Sequence, residues 1–144
     1  MQNLVLDTNV VLDLLVFGDP SAAPLREGLL ARRLRWLATP AMRGELERVL
    51  GYTAIAGRLT AGRITARDVL EQFDHHACLV AAPPRASVAC SDPDDQPFID
   101  LAVYHACTLL SKDAAVLALK RRLAAVQVAA GPSFPATCPG LSGS

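Results

Sequence analysis

Short apolar runs alternate along this chain with longer stretches of helical character. Leu4-Val5-Leu6 is a run of the first kind, typical of a short strand that is buried on both faces. Between 66 and 77 the apolar residues Val69 and Phe73 recur at the spacing of one helix face. The pattern predicts strands at 3–6, 34–38, 78–80, 108–111 and 126–128. It predicts helices at 7–17, 21–33, 40–50, 66–77, 91–106 and 113–124, with a helical arm or flexible excursion at 51–65.

Strands that alternate with helices in this way predict an α/β domain of three layers. Such chains form a mainly parallel central sheet that helices cover on both faces. A length of 144 residues suits a single core, which we assign to residues 1–130. Residues 131–144 hold three prolines and three glycines and are expected to form a flexible tail. Because such folds bind ligands outside the carboxyl ends of their strands, we expect the chemistry at that edge.

Composition and charge narrow the class of protein. The apolar stretches end well before the roughly 20 residues that a membrane span requires. The N-terminus lacks a basic segment followed by a cleavage site, so we expect a cytoplasmic protein with no membrane contact. The formal net charge is zero, whereas proteins that attract nucleic acid over long distances carry a basic excess. Any binding of nucleic acid is therefore expected from local patches of charge.

Carboxylates follow several of the predicted strands. Asp7 comes directly after the first strand, Glu45 lies in the helix after the second, and Asp113 follows the fourth. An acidic group at 92–95 begins the helix that leads into the fourth strand. Two carboxylates about 4 Å apart repel by about 4 kcal/mol at an effective dielectric constant of about 20. A hard divalent cation removes that cost, and ligation by oxygen alone favours Mg²⁺ or Mn²⁺.

Each of these acids also has a purely structural explanation. Asp113 can cap the helix that it begins, which stabilises a helix by about 1 kcal/mol. Glu45 can pair with Arg48 one turn later, which contributes about 0.2–0.5 kcal/mol. However, Glu45 lies at the shoulder of the apolar stripe of its helix and therefore near the protein body. The coincidence of several acids at one sheet edge favours a metal site.

Four segments of the chain resemble the motifs of the PIN-domain ribonucleases. They are VLDTNVV at 5–11, TPAMRGEL at 39–46, DPDDQPFIDLA at 92–102 and LSKD at 110–113. The third segment resembles the DPDD-type motif of a bacterial subgroup of VapC-like toxins from toxin–antitoxin systems. The resemblance covers most of residues 3–128 with the motifs in the family's order, and it implies the PIN-like α/β/α fold.

The resemblance implies which side chains form the site. The implied catalytic and metal-binding acids are Asp7, Glu45, Asp95 and Asp113, with Asp94 as the alternative to Asp95. Groups that orient carboxylates or water are implied at Asn9, Ser111 and Thr8. For phosphate contacts we expect Arg58 and Arg63 in the 51–65 arm and Lys112 beside Asp113. The sequence leaves the role of Asp100 open.

The resemblance also implies an activity, cofactors and partners. The activity is endonucleolytic hydrolysis of phosphodiester bonds in single-stranded RNA, with Mg²⁺ or Mn²⁺ as cofactor. The implied partners are RNA, a cognate antitoxin protein and a second copy of the chain in a homodimer. Two alternatives stay open: a catalytically silent PIN-like module that binds RNA or protein, and another Mg²⁺-dependent α/β enzyme that acts on phosphates. Asn9 stands where a haloacid-dehalogenase phosphatase has its second aspartate, which disfavours that family.

Overall fold

The computed structural model describes residues 1–135, which form a parallel five-stranded sheet flanked by helices. In chain order the strands are β1 (Gln2–Leu6), β2 (Leu34–Ala38), β3 (Ala77–Leu79), β4 (Thr108–Leu110) and β5 (Ala130–Gly131). Across the sheet they lie in the order β3-β2-β1-β4-β5, so β1 is central. In the register, Leu4 aligns with both Trp36 of β2 and Thr108 of β4. The predicted α/β class is confirmed.

The helices fill the connections between the strands. They are α1 (Thr8–Leu12), α2 (Ala23–Leu30), α3 (Pro40–Leu50), α4 (Thr53–Ala61), α5 (Ala66–His76), α6 (Gln96–His105), α7 (Ala114–Leu117) and α8 (Lys120–Ala125). Among residues 1–135, no helix is both long and apolar enough to cross a membrane.

The hydrophobic core lies on and around the middle of the sheet. Leu4, Val5 and Leu109 of the central strands have no exposed surface. Trp36 is buried against Phe73 of α5, with ring centroids 4.9 Å apart and ring planes at 81°, an edge-to-face arrangement that aromatic pairs favour. Burial of apolar surface is the main stabilising contribution to such a fold. The well-packed strands therefore give fixed starting points to the loops at their carboxyl ends.

Several helices differ in extent from the prediction. The helix predicted at 7–17 is α1 followed by a π-helical turn at Asp13–Phe17. That turn ends at Gly18, which has a φ of 59°, a conformation that glycine adopts without steric cost. The 51–65 segment contains α4 and is thus helical. The predicted helix at 91–106 begins only at Gln96, and the one at 113–124 is divided into α7 and α8.

The strand predicted at 126–128 is wrong. Here the chain closes α8, because Val128 N donates to Leu123 O at 2.9 Å, and Gln127 has a φ of 70°. The strand that pairs with β4 is β5, two residues further along, and it aligns Gly131 with Leu110. A short apolar run does not distinguish a helix end from a strand, which explains the error. The pairing of Gly131 extends the folded part past residue 130, and 136–144 of the predicted tail lie outside the described residues.

Candidate metal centre

The carboxyl ends of β1 and β4 bring Asp7 and Asp113 to the same place. Asp7 N donates to Leu110 O at 3.0 Å, so Asp7 continues the pairing of the two strands by one residue. Ser111 and Lys112 follow β4 and lead to Asp113. The central pair of strands therefore fixes the backbone positions of two predicted acids.

Asp7 is buried, and each of its carboxylate oxygens accepts one hydrogen bond from the protein. Its Oδ1 accepts a hydrogen bond from Val10 N at 3.0 Å and caps α1, while its Oδ2 accepts one from the hydroxyl of Ser111. Burial raises the pKa of Asp7, and the negative charge of Asp113 adds to that rise. The Ser111 hydroxyl and the Val10 amide oppose it, because hydrogen bonds of this kind favour the ionised carboxylate. Asp7 is a helix cap and a buried acid at once.

Ser111 connects Asp7 to Asp113. Its side chain is buried, donates to Asp7, and accepts from Asp113 N at 3.1 Å. Asp113 in turn caps α7 through Oδ1, which accepts from Ala115 N at 2.8 Å. The predicted orienting role of Ser111 therefore has a direct geometric basis, although its effect on catalysis is a proposal.

Asp95 has the most perturbed carboxylate of the group. Only 9% of its surface is exposed, and its Oδ2 is buried without a hydrogen-bond partner among residues 1–135. A carboxylate oxygen of Asp95 and one each of Asp92 and Asp113 all lie within 4.8 Å of one another. Burial, followed by the charges of Asp113 and Asp92, raises the pKa of Asp95 to about 7. Such crowding is costly unless protons or a cation neutralise it.

The sequence did not predict that Asp92 lies in the same group as Asp95 and Asp113. One of its oxygens, Oδ1, accepts from Asp94 N at 3.0 Å, as expected for a turn aspartate. Asp92 is nevertheless part of the group with Asp95 and Asp113. Asp94 is exposed and lies outside this group, although it lines the same pocket as Glu45 and Asp95. No local signal in the acidic motif distinguishes Asp92 from Asp94, because both are aspartates in the same short loop.

Glu45 reaches the same region from β2. Thr39 caps α3 by accepting from Met42 N at 3.3 Å, and Pro40 occupies the first turn, so the helix begins at the end of the strand. Glu45 then lines one pocket together with Asp7 and Asp95. Burial raises the pKa of Glu45; Arg48 opposes that rise, and the charges of Asp94 and Asp7 increase it.

The donor set of this edge fits a hard divalent cation. The close group consists of carboxylates alone, which are ligands typical of Mg²⁺ and Mn²⁺. The unpartnered Oδ2 of Asp95 is the specific sign of fit, because buried polar atoms are otherwise nearly always paired. Together the four predicted acids and Asp92 form what we call the acid cluster: Asp7, Glu45, Asp92, Asp95 and Asp113.

The other predicted site residues have varied surroundings. Thr8 and Asn9 line the pocket beside the acid cluster. Lys112 forms an ion pair with the buried Asp13, so its ammonium is already engaged. The guanidinium of Arg58 lies over the ring of Phe17 at 4.6 Å. Arg63 is exposed just after α4 and does not line the pocket beside the acids.

Asp100, whose role the sequence leaves open, holds the loop that carries the acidic motif. Its Oδ1 accepts from Ala86 N at 2.9 Å and from Gln96 Nε2 at 2.7 Å. Gln96 in turn donates to Val88 O and accepts from Cys90 N. These bonds tie the segment between β3 and α6 to the first turns of α6, next to Asp95. Asp100 is thus a loop anchor in this structure.

The raised pKa of Asp95 predicts how the stability of the metal-free protein depends on pH. Between about pH 4 and about pH 7 the folded Asp95 keeps a proton that the unfolded chain releases. The contribution of Asp95 to the free energy of unfolding should therefore fall as pH rises through this range, by at most about 1.4 kcal/mol per pH unit. Asp7 and Glu45 act in the same direction, since their pKa values are also raised. Urea unfolding in EDTA at a series of pH values measures the effect.

The matched variant for that experiment is Asp95→Asn. It keeps the size of the side chain and removes the titration, so its unfolding free energy should decline less with pH than that of the wild type. Parallel pH profiles for the two proteins would show that Asp95 is ionised in the fold throughout.

Comparison with known families agrees with this arrangement. The family model described as PIN domain matches residues 3–115, a span that contains every member of the acid cluster. No curated protein matches the chain. PIN domains are in general metal-dependent nucleases, which accords with an oxygen-only cluster at the carboxyl edge of a parallel sheet. Because the match covers well over half of its residues, the chain belongs to the PIN domain family.

Proposed function

We propose that this protein is an endoribonuclease that hydrolyses phosphodiester bonds of single-stranded RNA with Mg²⁺ or Mn²⁺ at the acid cluster. The observation that supports it most is the buried, unpartnered Oδ2 of Asp95 beside the carboxylates of Asp92 and Asp113. A cation would complete the bonding of that oxygen and offset the repulsion among the three acids. Membership of a family of metal-dependent nucleases supports the same chemistry.

Some residues of the site would hold the cation, and another orients one of these ligands. Asp95 and Asp113, grouped with Asp92, are the side chains that would hold the cation, and Asp7, joined to Asp113 through Ser111, would complete the set. A bound cation supplies an activated water and neutralises charge on the phosphoryl group. Ser111 keeps the carboxylate of Asp7 oriented through its hydroxyl.

Glu45 is suited to a different part of the reaction. It lines the pocket beside Asp7, and burial raises its pKa from the ordinary glutamate value. A carboxylate of raised pKa is a stronger base, so Glu45 would accept a proton from the attacking water more readily than a solvated glutamate. A hydrogen bond with the Thr8 side chain lowers the pKa of Glu45 and so favours its ionised form.

The resemblance of 92–102 to the DPDD-type motif suggests a biological role. On that basis we propose a toxin of a bacterial toxin–antitoxin system, acting in the cytoplasm, as a homodimer, and inhibited by a cognate antitoxin. The zero net charge agrees with a protein that finds RNA through local contacts. Binding of RNA should then be modest and should weaken as salt rises.

Cleavage of end-labelled oligonucleotides tests the activity. The purified chain should cut single-stranded RNA internally with Mn²⁺ or Mg²⁺ and should not cut it in EDTA, since the acid cluster alone has no nucleophile for the phosphorus. Double-stranded RNA and single-stranded DNA of the same sequence serve as matched substrates and should be cut more slowly. Absence of cutting on a varied set of RNAs with either ion, in a protein that still binds RNA, would favour the catalytically silent module instead.

A further inference from the structure

We propose that the pocket beside the acid cluster contains a subsite for one unpaired nucleobase, with the ring of Tyr52 as its stacking surface. This inference rests on the proposed function, since it assigns the substrate a binding mode at that site. The pocket has a volume of about 350 Å³ and is lined by residues from α1, α3, α4 and the acidic motif. Its lining is of mixed chemistry, with both acidic and apolar side chains.

The lining of the pocket suits two parts of one ligand. Its acids are Asp7, Glu45, Asp94 and Asp95, which suit a cation and the phosphate bound to it. Its apolar side chains include Val49 and Ile55, which have no function in holding a cation. A nucleotide has this division, because its phosphate is charged while its base is flat, neutral and largely apolar. A neutral base can also lie beside carboxylates without electrostatic repulsion.

Tyr52 lies where a base would meet an aromatic ring. It lines the pocket, yet 54% of its surface is exposed. Its backbone is held at the corner between α3 and α4, because Tyr52 N donates to Val49 O at 3.0 Å and Tyr52 O accepts from Ala56 N at 2.8 Å. Tyr52 is therefore an exposed aromatic residue on a fixed backbone, in the same lining as Val49 and Ile55. Proteins that bind single-stranded RNA stack unpaired bases on aromatic side chains presented in this way.

Tyr104 provides a contrast within the same chain. It is also exposed, at 64%, but its ring packs edge-to-face on that of His105 with centroids 5.1 Å apart. It lies near the end of α6 and does not line the pocket beside the acids. Tyr104 is therefore the matched control for a substitution at Tyr52.

The test compares wild type, Tyr52→Ala, Tyr52→Phe and Tyr104→Ala by fluorescence anisotropy with a labelled single-stranded RNA. Ca²⁺ replaces Mn²⁺, so the measured Kd does not depend on cleavage. Tyr52→Ala should weaken binding roughly tenfold, while Tyr52→Phe and Tyr104→Ala should bind as the wild type does. Tyr52 is exposed, so its replacement should leave the fold intact.

A second arm identifies the base. Oligonucleotides with a single abasic ribose, placed in turn at each position, should show one position at which the wild type loses affinity and Tyr52→Ala does not. Equal Kd values for wild type and Tyr52→Ala, with the same abasic profile, would overturn the subsite while leaving the nuclease proposal standing. Failure of the wild type to bind or cleave any RNA would overturn both the subsite and the nuclease proposal. The apolar residues of the pocket would then be assigned to contact with a protein partner.

Discussion

Asp7→Asn is expected to lower metal-dependent cleavage of RNA by more than about a hundredfold. Groups that only orient a metal ligand typically cost about 10- to 100-fold when removed, and a ligand itself should cost more. The carboxylate accepts hydrogen bonds from Val10 and Ser111 with separate oxygens, whereas the asparagine has only one oxygen. It also removes a negative charge that the cation would need. Initial rates with Mn²⁺ on a single RNA substrate measure the loss.

The same substitution should affect stability differently with and without metal. In EDTA, Asp7→Asn should change the free energy of unfolding little, because relief of a buried charge beside Asp113 offsets the loss of one hydrogen-bond acceptor. With excess Mn²⁺ the wild type should gain stability through ligand binding, whereas the variant should gain little. Thermal unfolding of both proteins in both conditions gives the comparison. Wild-type cleavage and the same Mn²⁺ stabilisation in the variant would exclude Asp7 from the metal site.

Asp95→Asn and Asp94→Asn should differ strongly although the two residues are neighbours. Asp95 is buried with an unpartnered oxygen beside Asp113, whereas Asp94 is exposed. Asp95→Asn should therefore reduce cleavage by more than about a hundredfold, and Asp94→Asn by much less. Single-turnover rates with each variant decide between the two residues.

The pair also controls for general effects of charge, since each substitution removes one negative charge from the acidic motif. Comparable losses in the two variants would point to electrostatics of the whole motif. A larger loss at Asp94 would reverse our assignment and make Asp94 the ligand.

The fold was predictable because its signals are local. Buried strands such as 3–6 are short apolar runs, and Thr39 with Pro40 forms a recognisable helix start. The position of β5 was not predictable, because the pairing of Gly131 with Leu110 depends on where α8 ends. The apolar residues at 126–128 could close a helix or form a strand, and only tertiary contacts decide between these.

The site was predictable to the level of strand ends. The positions of Asp7 and Asp113 follow from the rule for parallel sheets, and the structure does bring them together around Ser111. The inward direction of Asp92 and Asp95 was not predictable, because it depends on the path of a long loop. That path is fixed by distant bonds such as the one from Ala86 N to Asp100. Four adjacent motif residues give no local signal of which side chain turns inward.

The residues that line the pocket were not predictable from the sequence for a related reason. The sequence of 51–65 suggested a helical arm or a flexible excursion, and the structure folds this segment into α4, which packs against the π-helical turn and α3. Tyr52 then lies at the corner between α3 and α4, beside the acid cluster, where its exposed side chain is available to a nucleobase. Sequence spacing does not give the angle between consecutive helices, and that angle decides what lines the pocket.

Calorimetric titration of Mn²⁺ into the metal-free protein measures cation binding by the acid cluster without any substrate. We expect saturable binding of about one or two ions per chain to the wild type. We expect loss of that binding in Asp95→Asn and in Asp7→Asn, whose side chains keep their size and lose their charge. Binding that is absent from the folded wild type, or unchanged in both variants, would contradict the assignment of this cluster as a metal centre.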